Sequence, residues 1–123
     1  MIDVNLAFYR ALESNDLVLM SEVWENSDRV ACTHPGRIRL DGIDGVIESF
    51  RRIFEFAPAP QILISEVSVV VERRVAWVSL VENFLFPVTG AASALNIFTF
   101  DSKRGWQMVL HQAAPILVSS RSE

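Results

Sequence analysis

Several residue types and patterns are scarce in this 123-residue chain, and each shortage excludes something. Cysteine occurs once, at Cys32, which rules out an internal disulfide framework and fits a reducing, cytoplasmic setting. Histidine occurs twice, at His34 and His111, too far apart in sequence for a structural zinc pattern, so neither metal nor cofactor is expected. The basic residues never cluster beyond the pairs Arg51-Arg52, Arg73-Arg74 and Lys103-Arg104. With a net charge of −4 and a pI of about 5.1, that argues against nucleic acid or an anionic membrane surface as partner. No apolar run approaches the ~20 residues needed to span a bilayer. The opening MIDVNLAFYR has no basic segment leading into an apolar one, so no secretory signal is expected.

Apolar residues are abundant: 50% of the chain is hydrophobic, and the mean hydropathy is +0.28. The length suits one domain, residues 1–123, with one core. The excess apolar surface is expected to go into at least two of three places: the core, a pocket or a subunit interface.

Periodicity divides the chain into a helical first half and a strand-rich second half. Val4, Phe8, Ala11 and Leu12 make one helix face, and the pattern ends near Ser14-Asn15. Asp16 can cap a short second helix carrying Leu17, Met20, Val23 and Trp24 on one side. After a polar turn at Glu25–Asp28 and an apolar strand at Val30–His34, Asp41 can cap a third helix. Its Ile43, Val46, Ile47, Phe50, Ile53 and Phe54 give the cleanest helical signal in the chain. The prolines of Ala57-Pro-Ala-Pro60 stop it.

From Gln61 the period changes to two. Strands are expected at about Ile62–Val71, Val75–Phe86, Ala92–Phe100 and Trp106–Leu117. In the second of these, Trp77 and Val81 share one face, while Val78, Leu80, Phe84 and Phe86 share the other. A one-sided antiparallel sheet alternates more cleanly than this. The expectation is an α+β fold: helices packed in the concave face of a curved, mainly antiparallel sheet, with a second copy of the chain against part of its outer face.

These stretches resemble the SnoaL-like and ketosteroid-isomerase-like proteins of the nuclear transport factor superfamily, whose fold is a cone-shaped α+β structure. ALESNDLVLMSEVWENSDRVACTHPG is similar to the family's two helices, acidic turn and strand before Pro-Gly. LDGIDGVIESFRRIF is similar to its glycine-led third helix, and GWQMVLHQAAP to its final strand. The resemblance runs from about residue 4 to 117. It implies three N-terminal helices in the cone and, for the isomerase-like members, a cofactor-free proton-transfer site.

The resemblance places His34 where the isomerases carry their aspartate base, just before Pro35. It places Asn96 where they carry the protonated aspartic acid that donates to an oxyanion. A neutral histidine can serve as a base near pH 7, and an amide donates without any pKa shift. A turn histidine and a structural asparagine are the alternative readings. The family's tyrosine donor falls on Phe8, which has no hydroxyl, and Tyr9 next to it is turned about 100° round the helix. That argues against steroid isomerisation by the known set.

Strand parity allows only one of His111 and Gln112, and one of Glu82 and Asn83, to face the cone. A carboxylate on so apolar a strand is costly to bury unpaired, so Glu82 is expected either to line a wet pocket or to pair with an arginine. Cys32 shares the His34 face and reads as a small buried hydrophobe. Trp24, Phe50, Phe54 and Phe98 read as core or pocket wall.

Two functional readings follow. One is a small isomerase, cyclase or lyase in which His34 acts as base on an apolar, carbonyl-containing ligand and Asn96 supports the oxyanion. The other is a non-catalytic dimer, a ligand-binding or scaffold module joined through its sheet.

Overall fold

A computed structural model describes residues 1–117, with three helices and six strands. In chain order these are α1 (Ile2–Ser14), α2 (Leu17–Val23), β1 (Ala31–Thr33), β2 (Leu40–Asp41), α3 (Ile43–Phe56), β3 (Gln61–Glu72), β4 (Val75–Phe86), β5 (Gly90–Asp101) and β6 (Gly105–Pro115). One six-stranded sheet runs β2-β1-β6-β5-β4-β3. All neighbours are antiparallel except β1 and β6, which are parallel. The α+β cone expected from the sequence is the fold observed. Among the described residues no helix is long and apolar enough to cross a membrane.

Local chemistry explains most element ends. Asn15 closes α1 in the left-handed conformation, and the Asp16 side chain accepts from the Leu19 amide to start α2. Asp41 is not the cap of α3. It pairs with Ala31 in β2 and its carboxylate meets Arg39 at 3.0 Å, while Gly42 takes the cap position at φ 84°, a conformation suited to glycine. Trp24 lies past the end of α2 in extended backbone, bridged to Met108 of β6, because α2 stops at Val23. The last strand ends at Pro115, two residues short of the expected Leu117. The β1 strand stops at Thr33, since Pro35-Gly36 makes a turn closed by the Arg37 amide on the His34 carbonyl, with Gly36 at φ 75°.

Register organises the faces of the sheet into rows. On the concave face Val78, Asn96, His111 and Cys32 are successive neighbours across β4, β5, β6 and β1. On the convex face the next row runs Val70, Trp77, Ile97, Leu110 and Ala31. Irregularities between Ser65 and Ser68 of β3, and beside Ile97-Phe98 in the β5–β6 pair, break the ladders and allow the sheet to curve. The helices fill the hollow. Phe8, Met20, Trp24, Val46, Phe50, Phe98 and Met108 are all essentially inaccessible, and Phe8 contacts Tyr9, Trp24 and Phe50 edge-on at 5.0, 6.4 and 6.0 Å.

The two aspartates separate cap from ion pair. Asp16→Ala is expected to lower stability by about 1 kcal/mol, whereas Asp41→Ala, which removes only an exposed pair, changes it by less than about 0.5 kcal/mol. Urea denaturation of the two variants checks this. An equal loss from both would mean that the Asp16 contact is not an effective cap.

Candidate functional site

The concave row of the sheet and the buried face of α1 meet in a network of uncharged and titratable polar groups. Asn96 is wholly buried, and its amide nitrogen donates to Asn5 Oδ1 at 2.9 Å and to the Tyr9 hydroxyl at 3.1 Å. Its amide oxygen therefore faces His111 Nδ1 at 2.6 Å, and His111 must donate there. The Tyr9 hydroxyl spends its own hydrogen on Glu82 Oε2 at 2.7 Å. His111 Nε2, left as an acceptor, lies 3.9 Å from the same carboxylate oxygen. Every bond direction in the chain follows from the one before it.

Glu82 is 2% exposed, and its surroundings differ from the expected arginine pair. Among the described residues no lysine or arginine reaches it, and its polar neighbours are Tyr9 and His111. Burial pushes its carboxyl up to about 7, against the opposing pull of the Tyr9 hydrogen bond. Burial pushes His111 the other way, well below the usual histidine range, and the nearby His34 adds to this. Both groups are thus driven towards their neutral forms.

Below this floor a cavity of about 400 Å³ opens towards solvent. Its walls are mainly carbon, from Phe8 and Leu12 of α1, Phe50 and Ile53 of α3, Ile62 of β3 and Phe84 of β4. Its polar groups are Glu82 and His111 at the deep end and His34 and Arg37 at the mouth. A second groove of about 530 Å³ continues outward between α3 and the β1–β2 connection, sharing His34, Arg37 and Ile53. The inner cavity is the candidate site because it reaches the buried Glu82 and His111.

The structure separates the residues singled out from sequence. Phe8, His34, Phe50, Glu82 and His111 line the cavity together. His34 Nε2 lies 2.9 Å from the Ser49 hydroxyl, whose hydrogen goes to the Val46 carbonyl, so His34 donates to Ser49 and Nδ1 is its free acceptor. Burial and the nearby Arg37 pull the imidazole down to about 4. It is neutral at pH 7, but a weak proton store. Asn96 does not reach the cavity, and both its N–H groups are committed inside the protein, so it is not placed to donate to a ligand oxyanion.

Six further residues expected at the pocket do not line it. Asn83 faces the convex side, where it donates to the Leu63 carbonyl and the Ser65 hydroxyl; strand parity gave the inner face to Glu82. Gln112 is exposed on the convex face, since the inner position went to His111. Trp24 and Phe98 are core rather than cavity wall, and the Trp24 indole nitrogen has no hydrogen-bond partner. Phe54 packs against Phe50 outside the lining. Cys32 is buried, with its thiol pushed up to about 12, and the His34 nitrogen 3.9 Å away does not ionise it.

Tyr9 is the residue that sequence reasoning missed. The helix turns it away from the Phe8 direction, as expected, but that turn aims it at the sheet, where its hydroxyl meets both Glu82 and Asn96. The usable signal was parity: Val78, Leu80 and Glu82 share the inner face, so an acidic residue had to stand in the cone.

Comparison with known proteins agrees with this architecture. A family model for the SnoaL-like domain matches residues 2–118. A candidate dehydratase of the NTF2-like family from Streptomyces avermitilis is 31% identical, with a TM-score of 0.85 over 94% of this chain and 92% of that one. A candidate calcium/calmodulin-dependent protein kinase type II association domain from Thiobacillus denitrificans is 29% identical, with a TM-score of 0.85 over 93% of each chain. F-box protein SKIP8 of Arabidopsis thaliana is 28% identical over 120 residues, which is 98% of this chain and 51% of that protein, so the chain spans about half the length of this relative.

The raised carboxyl has a consequence for stability. Between pH ~4.5 and ~7 the folded protein keeps a proton on Glu82 that the unfolded chain has released, so this group makes stability fall as pH rises through that window. His34 and His111, held neutral in the fold, act in the opposite sense below about pH 6.5. Glu82→Gln removes only the first effect. The stability of Glu82→Gln relative to the parent is expected to grow by about 3 kcal/mol, the size of the shift, between pH 4.5 and 7.5. A constant difference in urea midpoints across that range would show that Glu82 titrates normally.

Proposed function

The chain belongs to the SnoaL-like domain family, and from that premise we propose that its cone is a binding site for a small, largely apolar molecule with one polar group, and that Glu82 is the residue exchanging a proton with it. The observation that carries this reading is a carbon-walled cavity of about 400 Å³ ending on a buried carboxyl with no cationic partner. Ligand sites of this size and lining bury most of a molecule of two or three rings. A carboxyl near 7 is suited to both accepting and returning a proton at neutral pH, as general acid–base groups in isomerases, cyclases and lyases must. The His34 ring, down near 4, suits a hydrogen-bond acceptor at the mouth better than a base. No metal is needed for such proton transfers.

The test is binding of naphthalene followed by thermal unfolding. Parent protein is expected to gain about 2.7 kcal/mol of stability at a ligand concentration one hundred times its Kd. Ile53→Arg, which puts a charge in both the cavity and the outer groove, is expected to gain nothing while keeping its fold. Equal gains in both would place the ligand elsewhere.

A second reading is supported by the convex face and can hold together with the first. The row Val70, Trp77, Ile97 and Leu110, with the part-exposed Leu95 beside it, is apolar surface that the chain does not cover itself. Two copies meeting on this face through a homodimer would bury it. Sedimentation should then give twice the chain mass for the parent and a single chain mass for Ile97→Glu; a monomeric parent would sink the dimer.

A further inference from the structure

The polar network decides more than where Glu82 stands. Starting from Asn96, whose nitrogen is committed to Asn5 and Tyr9, the bonds run in one sense to the cavity. Tyr9 gives its hydrogen to Glu82 Oε2, and His111 gives its only hydrogen to Asn96. What remains for a ligand at the deep end is Glu82 Oε1, which no donor among the described residues reaches, and His111 Nε2. At the mouth His34 likewise offers Nδ1, because its Nε2 hydrogen is spent on Ser49. With Glu82 ionised, every polar side chain inside the cavity is an acceptor, and the one donor, Arg37, stands at the exposed rim.

With the carboxylate ionised, this floor of acceptors repels a carbonyl oxygen, whose lone pairs would face other lone pairs in a dry site, and it is satisfied by an O–H. A cationic amine fits less well, since it would pass the Arg37 guanidinium at the mouth and lose its hydration inside. We propose that the ligand of this cavity is an apolar alcohol or phenol whose hydroxyl donates to Glu82 at the deep end, rather than a ketone. This rests on the reading of the cavity as a small-molecule site, and it sharpens that reading by naming the group recognised. The groups facing Glu82 are Tyr9 from α1, Cys32 from β1, His111 from β6, and His34 and Arg37 across the cavity. Of these, none but the two histidines is placed to titrate between pH 5 and 8, and burial holds both neutral there.

Calorimetric titration with three naphthalenes of one shape tests it: 2-naphthol, 2-methylnaphthalene and 2-naphthaldehyde. At pH 8 the naphthol is expected to bind at least about tenfold tighter than the other two, the size of a hydrogen bond to a charged acceptor. The preference should shrink at pH 5.5, where Glu82 holds a proton of its own, and in Glu82→Gln it should no longer change with pH. A measurement on the unaltered protein runs beside this: in a ¹³C-carboxyl titration, naphthol should move the Glu82 midpoint down and methylnaphthalene should move it up. Equal affinity for naphthol and methylnaphthalene, tighter binding of the aldehyde at pH 8, or an upward shift with naphthol would each overturn the hydroxyl assignment while leaving the apolar site standing. Failure of all three compounds to bind would overturn both.

Discussion

The Tyr9 hydroxyl is the contact on which the rest of the cavity depends. It accepts from Asn96 and donates to Glu82, so a single oxygen links the N-terminal helix to two neighbouring strands of the sheet. Without it, Glu82 would be a buried carboxyl facing only a neutral imidazole, and Asn96 would hold an unspent N–H in the core. Each such loss typically costs about 1–3 kcal/mol. The network achieves satisfaction without ion pairing: amide, phenol, imidazole and carboxyl are joined in one direction, and no buried cation is required. That leaves the outward side of the carboxyl facing the cavity, where a guanidinium partner would otherwise have stood.

The sequence carried the fold because its signals were local and mutually consistent. The heptad-like face of α3, the Asp16 cap, and the switch to period two at Gln61 each sit within a few residues of the structure they specify. The site was legible only as far as strand parity reached. Parity allowed only one of Glu82 and Asn83 to face the cone and left open which, and it said nothing of what lay opposite. The partner came from residue 9, 73 positions away, and from a position about 100° round α1 from Phe8, outside the face that periodicity picked out. His34 illustrates the converse error. Its place before Pro35 was right, but its environment of Phe50, Ser49 and Arg37, which weakens it as a base, comes from α3 and the turn folded over it.

Alternation gives one sheet two duties. The row through Asn96 and His111 faces the helices and carries the polar network, while the adjacent row through Trp77 and Ile97 presents carbon outward. A one-residue slip between β5 and β6 would exchange these roles, burying Gln112 and expelling His111. The irregularity beside Ile97-Phe98 lies directly next to Asn96, so the curvature of the cone and the placement of its polar row are set at the same point of the ladder.

The polar network also bears on how the molecule assembles. The strands β3 to β6 follow one another as neighbours and can zip through short turns, yet Asn5 and Tyr9 meet Asn96 across 91 and 87 residues of chain. Closing loops of that length carries an entropic charge that local hairpins avoid. The cavity floor is complete only once α1 has closed those long loops onto the meander. A molecule lodged against Glu82 would hold that closure shut, so occupancy of the cone and completion of the native state are thermodynamically the same contact counted from two ends.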